Sequence, residues 1–241
     1  MDLKEEQVLG ESIHQHWYYL AKARLLAASV GEVGTVLDVG AGSGFFSRWL
    51  LRNGRAQKAI CVDPFYEADR DEEEAGKPIL FRRSIEACDA DLLLMMDVLE
   101  HVEDDKGLLG QYLPLLRPGG RCFITVPAFQ FLWSAHDTFL EHKRRYTLAQ
   151  LERTVAAAGA QDVRGHYYYG AVFPIAAGVR LMRRGKPAEG SDLQKHSPPV
   201  NAILSGVCSL EQLVMRWNRL AGLSVAVTCA APAPTDARLA A

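Results

Sequence analysis

Asp38-Val39-Gly40-Ala41-Gly42-Ser43-Gly44 sets a carboxylate two residues ahead of three alternating glycines. Glycines at that spacing let the backbone turn sharply and approach a ligand with no side chain in the way. A second carboxylate, Asp63, closes the apolar run Ala59-Ile60-Cys61-Val62, 25 residues beyond Asp38. That is near the distance at which a second strand of an open α/β sheet brings an acid to a ribose, and one carboxylate can accept from both vicinal hydroxyls. Further on, Glu100, His101, His136, Asp137 and His142 follow two more apolar runs. An imidazole titrates near neutrality, so His136 foremost, with Asp137 and His142, is the candidate for taking a proton from a reacting hydroxyl.

Val36 to Val39 reads as a buried strand and Ser47 to Leu50 as helix, so the glycines form a strand-to-helix loop. In an open α/β sheet such a loop lies at the carboxyl ends of the strands, where ligands bind. The dinucleotide fingerprint G-x-G-x-x-G fails here, because it would need glycine at Phe45 or Ser47. Further strands are expected at 59–62, 78–82, 91–96, 121–126, 162–169 and 223–230. Between the first pair of these lies the acidic stretch 66–77, expected as a solvated loop or frayed helix. Leu108 to Leu116 reads as a helix stopped by Arg117-Pro118-Gly119-Gly120, and Thr147 as the cap of a helix ending before Gly159.

The D-x-G-x-G-x-G stretch resembles motif I of the class I S-adenosylmethionine (SAM)-dependent methyltransferases, and the order of elements extends the resemblance over about residues 34–160. It implies an α/β fold with a seven-stranded, mostly parallel, doubly wound sheet. It also implies a SAM site drawn from Asp38, Gly40, Ala41, Gly42, Gly44, Asp63, Ser84, Ile85 and Asp97. An acid is frequent at the Ser84 position in that family, and here the chain departs from the pattern. Asp97-x-x-Glu100-His101 resembles the E-x-x-E-H motif of the metal-dependent small-RNA 2′-O-methyltransferases, and a similar motif occurs in the ubiquinone-pathway O-methyltransferases. His142 resembles the further histidine of the RNA enzymes. The implied alternative is a divalent ion, Mg2+ for instance, on Asp97, Glu100, His101 and His142, which suits hydroxyl activation. Metal-free relatives carry a similar D/E-x-x-E-H that orders the loop under the cofactor. Together these imply methyl transfer to a small-molecule or lipid-linked acceptor, at oxygen. The rival classes are a non-catalytic SAM-binding module and a nucleotide-cofactor oxidoreductase, the latter weakened by the missing fingerprint.

The expected organisation is a helical lid over 1–33, a core over 34–170, a helical insertion over 171–222, a last strand over 223–230 and a disordered tail over 231–241. In the lid, Trp17 and either Lys22 or Arg24 reach the cofactor, or the helix merely caps the sheet. Lys143-Arg144-Arg145 is either a solvated helix entry or an anion-binding patch. In the insertion, apolar residues from Val200 to Val214 recur at helical spacing beside Arg180, Arg183, Arg184 and Lys186. That helix covers a sheet edge, makes a homodimer contact, or docks peripherally at a membrane.

A formal net charge of −2 and pI near 6.4 over 241 residues leave no global nucleic-acid footprint. The five cysteines have no C-x-x-C pairing and read as reduced core residues of a cytoplasmic protein. The acidic start, Asp2 to Glu6, does not suit a signal peptide, and no apolar run reaches membrane-spanning length.

Overall fold

In the computed structural model, residues 10–182 and 197–231 are described. Residues 232–241 of the predicted tail, Arg183, Arg184 and Lys186 lie outside the described residues, while Ala231, the tail's first residue, is buried and donates to Gly120 O (2.8 Å).

Eight strands form one sheet in the order β3-β4-β2-β1-β5-β6-β8-β7. They are β1 (Thr35–Val39), β2 (Lys58–Val62), β3 (Arg70–Glu74), β4 (Lys77–Arg82), β5 (Ala90–Met96), β6 (Leu116–Pro127), β7 (Gln161–Tyr168) and β8 (Ser224–Ala230). The pairings of β4, β2, β1, β5 and β6 are parallel, while β8 runs antiparallel to both β6 and β7. Along β5 the side chains alternate between two apolar layers. Leu92, Leu94 and Met96 join one, and Leu93 and Met95 the other. A strand buried on both faces reads as a continuous apolar run, which is why Leu92 to Met96 carries no polar residue.

The expected seven strands are eight. The extra one, β3, falls in the acidic stretch expected as loop or frayed helix, and it forms a hairpin with β4 through Ala75-Gly76. Both turn residues have positive φ (53° and 71°), the geometry that matches strand twist in a two-residue hairpin. Its acids are neutralised in place: Arg48 reaches Glu72 and Glu74, Arg52 reaches Glu74, and Arg70 reaches Glu72.

The helices are α1 (Trp17–Val30), α2 (Phe45–Arg52), α3 (Asp105–Tyr112), α4 (Ala135–Phe139), α5 (Leu148–Ala157), α6 (Phe173–Met182) and α7 (Pro198–Glu211). The amino-terminal helix is shorter than expected, a 3-10 turn over Gly10–Gln15 preceding α1. The helical spacing read from Val200 to Val214 is met by α7 as far as Glu211, and a 3-10 turn follows over Met215–Trp217. Thr147 caps α5 in a reciprocal capping box with Gln150, as its position suggested. The insertion and the amino-terminal segment form one layer. Asn201 of α7 accepts from Trp17 N and donates to Gln15 O, both at 2.9 Å, and Arg24 turns away from the sheet to Ser209 (2.8 Å). All five cysteines are free thiols, four of them buried. No helix among the described residues is long and apolar enough to cross a membrane.

Candidate active site

The glycine loop leaves β1 and enters α2 at the carboxyl rim of the sheet. Gly40 has φ +67°, and a Cβ there would come 2.8 Å from Val98 Cγ2, so neither the backbone nor the packing admits a side chain. Asp38, buried under the loop, accepts from Ser47 Oγ at 2.7 Å and so ties the strand to the first turn of α2. Asp63 faces the loop from β2. One of its oxygens accepts from Gly42 N (3.1 Å) and the other from Phe65 N (3.0 Å). Each carboxylate oxygen keeps a further lone pair, the capacity needed to accept from two hydroxyls of a bound sugar. Phe65 stands 85% exposed beside it, a flat apolar face at the same rim. Sequence reasoning missed this residue, and its signal is an aromatic directly after the strand-ending Asp63-Pro64. Ser84 and Ile85 follow β4, Ser84 exposed and Ile85 half-buried.

Three non-glycine residues at the rim hold left-handed backbones: Asp97 (φ 56°) after β5, Phe129 (58°) after β6 and Tyr169 (59°) after β7. Such conformations persist only where surrounding contacts over-determine them, and they cluster at functional sites. Asp97 is fixed on both oxygens. Thr125 Oγ1 donates to one at 2.7 Å, and the other takes Lys22 Nζ and Tyr18 Oη (3.4 Å) from α1. Lys22 is buried, with its ammonium 4.9 Å from the Tyr18 ring centroid. Tyr18 in turn stacks on Tyr169, centroids 5.2 Å apart. Of the expected lid residues, Lys22 therefore reaches the rim, Trp17 packs edge-on against Tyr169, and Arg24 does not take part.

Beyond β5 and β6, two loops are stitched together. Lys143 N donates to Glu100 O (2.7 Å), Arg144 to Val102 O (3.1 Å), and Tyr146 Oη to Asp105 Oδ2 (2.7 Å). This brings His142 against His101, ring centroids 4.7 Å apart, with the His136 ring 6.5 Å from that of His142. Asp137 is fully buried and receives Arg145 Nε (2.7 Å) and Nη2 (3.0 Å), Ser134 N (2.8 Å) and the His142 Nδ1 contact (2.8 Å). Burial alone would raise its pKa, but the His142 bond and the Arg145 charge hold it well below the usual carboxylate range. An ionised Asp137 accepting at Nδ1 selects the tautomer in which Nε2 of His142 carries the lone pair. That Nε2 has no hydrogen-bond partner among the described residues.

Glu100 is wholly buried, and neither of its oxygens has a partner from another described residue. Burial pushes its pKa up to about 8. Ligand atoms of Glu100, His101 and His142 all lie within 4.8 Å of one another. Asp97, expected as the fourth member of that set, stands apart, its oxygens committed to Lys22, Tyr18 and Thr125. The basic run is not a free anion patch. Arg145 is spent on Asp137, and Lys143 and Arg144 pair with Glu103. Arg145 was legible as a cation but not as the buried partner of Asp137.

A family model described as a methyltransferase domain matches residues 13–164. Among curated proteins, the chain is 32% identical over 169 residues to the ubiquinone biosynthesis O-methyltransferase of Methylocella silvestris, covering 61% of this chain and 64% of that one. To the protein of the same name from Aeromonas salmonicida it is 28% identical over 157 residues, covering 55% and 66%. The chain thus spans just under two-thirds of these curated relatives. Similar solved structures include a SAM-dependent methyltransferase from Archaeoglobus fulgidus (TM-score 0.53, 16% identity, 94% of this chain and 97% of that one). Another is phosphoethanolamine N-methyltransferase 2 of Haemonchus contortus with SAM (0.58, 16%, 94% and 56%). At such identities they attest the fold. The matched region runs from the 3-10 turn before α1 into β7 and takes in both halves of the rim, and with well over half its length so matched this chain belongs to the class I SAM-dependent methyltransferases.

Proposed function

We propose that the chain transfers a methyl group from SAM to a hydroxyl of a small-molecule or lipid-linked acceptor. The single observation that carries the reading is the Asp137–His142 pair, in the loop after β6, whose buried Nε2 has no hydrogen-bond partner among the described residues. Bound SAM supplies a methyl already activated on a sulfonium. Asp63 holds the ribose, the Gly40–Gly44 loop cradles the methionine end, and Phe65 with Ile85 encloses the adenine. Lys22 and Tyr18 close the rim against water. His142 would accept the acceptor's proton, and SAM held by these residues would supply the methyl group to the acceptor oxygen. Asp137 is then a positioning residue: its lone pairs are occupied and its acidity leaves it a poor base. Orientation of acceptor and donor supplies much of the barrier reduction, and proton acceptance adds ~10²–10⁴-fold. Transfer to oxygen accords with the names of the two curated relatives, both ubiquinone biosynthesis O-methyltransferases.

A second reading is favoured by Glu100. A buried carboxyl with two unpaired oxygens beside two imidazoles is a donor set that fits a hard or borderline divalent cation. Glu100, His101 and His142 would hold it, and it would acidify the acceptor hydroxyl. The test measures turnover after exhaustive chelation and dialysis, with SAM affinity by calorimetry in parallel. Retained turnover supports His142 as a plain base, whereas loss restored by Mg2+ or Mn2+ supports the cation. SAM that fails to bind refutes both readings.

A further inference from the structure

Among the described residues, the stretch from the end of α7 toward β8 holds a dense run of exposed apolar side chains. Leu210, Leu213, Val214, Trp217 and Leu220 are 70%, 71%, 59%, 63% and 89% exposed within eleven residues of sequence. A run of this kind is far from the scattered single apolar residues of an ordinary surface. It adjoins an open hollow of about 670 Å3 whose lining includes Arg153, Arg164, Arg216 and Arg219. Arg216 belongs to both features, its guanidinium carbon 4.0 Å from the centre of the Trp217 ring. Of the four, Arg219 is paired with Glu152, while Arg153, Arg164 and Arg216 stand exposed. The hollow's lining sets these four arginines against one carboxylate, Glu152.

We infer that this face docks on an anionic lipid surface, the apolar side chains entering the headgroup boundary and the arginines meeting lipid phosphates. Charge decides among the occupants. An isologous contact with a second copy would set the same cationic patch against itself. A nucleic-acid backbone would satisfy the arginines but leave five apolar side chains unpartnered. An anionic bilayer satisfies both at once, because apolar insertion and attraction of basic residues act together there. Tryptophan and arginine, each with an apolar body and a polar tip, suit that boundary.

The surface is also joined to the acceptor side of the rim. Asn218, next to Trp217, accepts from Tyr167 N at 2.8 Å, and the Tyr167 ring stacks on Phe129 at 5.0 Å, where β6 ends. A lipid-linked acceptor could pass from the bilayer to the rim beside this turn. That extension rests on the proposed methyl transfer, whereas the docking itself does not.

The experiment is co-sedimentation of the whole chain with phosphatidylcholine vesicles containing phosphatidylglycerol, against phosphatidylcholine alone. Expected is association with the anionic vesicles at low ionic strength, falling steeply with salt. The pair Arg164→Ala and Arg216→Ala should weaken it about 25-fold, each cation being worth roughly fivefold at such a surface. Leu213→Asp, at an exposed position that does not endanger folding, should lower it at least ~10-fold. SAM titration of the same proteins should be unchanged. Absence of association at low ionic strength, or association indifferent to lipid charge and to these substitutions, overturns the proposal. So does a dimer in sedimentation equilibrium that Leu213→Asp dissociates while vesicles are ignored. Vesicle binding by a chain that does not bind SAM would refute the methyl-transfer reading and leave the docking surface standing.

Discussion

In the β1–β2 half of the rim, Asp38 and Asp63 accept from Ser47, Gly42 and Phe65, none more than 21 residues away in sequence. In the β5–β6 half, Asp97 meets Lys22 from 75 residues away, and His142 meets Glu100 and His101 from beyond the next strand. The first half closes short loops and is stapled by backbone amides, so its geometry is built as soon as β1, β2 and α2 pair. The second depends on α1 and the 128–146 segment arriving from elsewhere, and it buries charge to hold them. A buried, unequally paired set of ionisable groups is costly to the fold, which is the pattern expected where function sets the arrangement.

Four measurements would break or sharpen that contrast. The largest effect should come from His142→Ala, which is expected to lower kcat ~10²–10⁴-fold with SAM affinity unchanged. An equal loss of SAM binding would place His142 in the cofactor half. Next, Arg145→Met leaves the buried Asp137 charge without its guanidinium, and denaturant unfolding should show a loss of ~3–5 kcal/mol. A loss below 1 kcal/mol, on the scale of an exposed pair, would mean that Asp137 is not held as the geometry indicates.

Asp63→Ala should then cost ~1.5–3 kcal/mol of SAM binding, read by calorimetric titration. Unchanged affinity would remove Asp63 from the ribose site. The most diagnostic effect is on pH dependence. Glu100 has its pKa raised from 4.5 to about 8 in the metal-free fold. The unfolded chain therefore releases this proton first, and stability contributed by the neutral carboxyl is present below the unfolded value and lost as pH rises toward 8. The expected slope is at most ~1.4 kcal/mol per pH unit in that window. Glu100→Gln should flatten it in chelator. Saturating Mg2+ should flatten it as well under the cation reading, and leave it untouched under the plain-base reading.

From residue types and spacing alone, the chain determined the strand–glycine loop–helix at 36–50, the acid ending β2, the capped helix after Thr147 and the family. Each is a local pattern, set by backbone sterics, a two-residue or 3.6-residue period, or a capping hydrogen bond. The eighth strand escaped because its run of acids argues against a strand until Arg48, Arg52 and Arg70 are seen to neutralise it. His136, His142, Glu100 and His101 were all visible as reactive residues. Only the tertiary structure decided that His142 is oriented by Asp137, that Arg145 is spent on holding Asp137, and that Asp97 belongs with Lys22 rather than with the imidazoles. The physical reason is that a carboxylate's role is fixed by which charges and donors share its desolvated space, and packing brings those from distant segments.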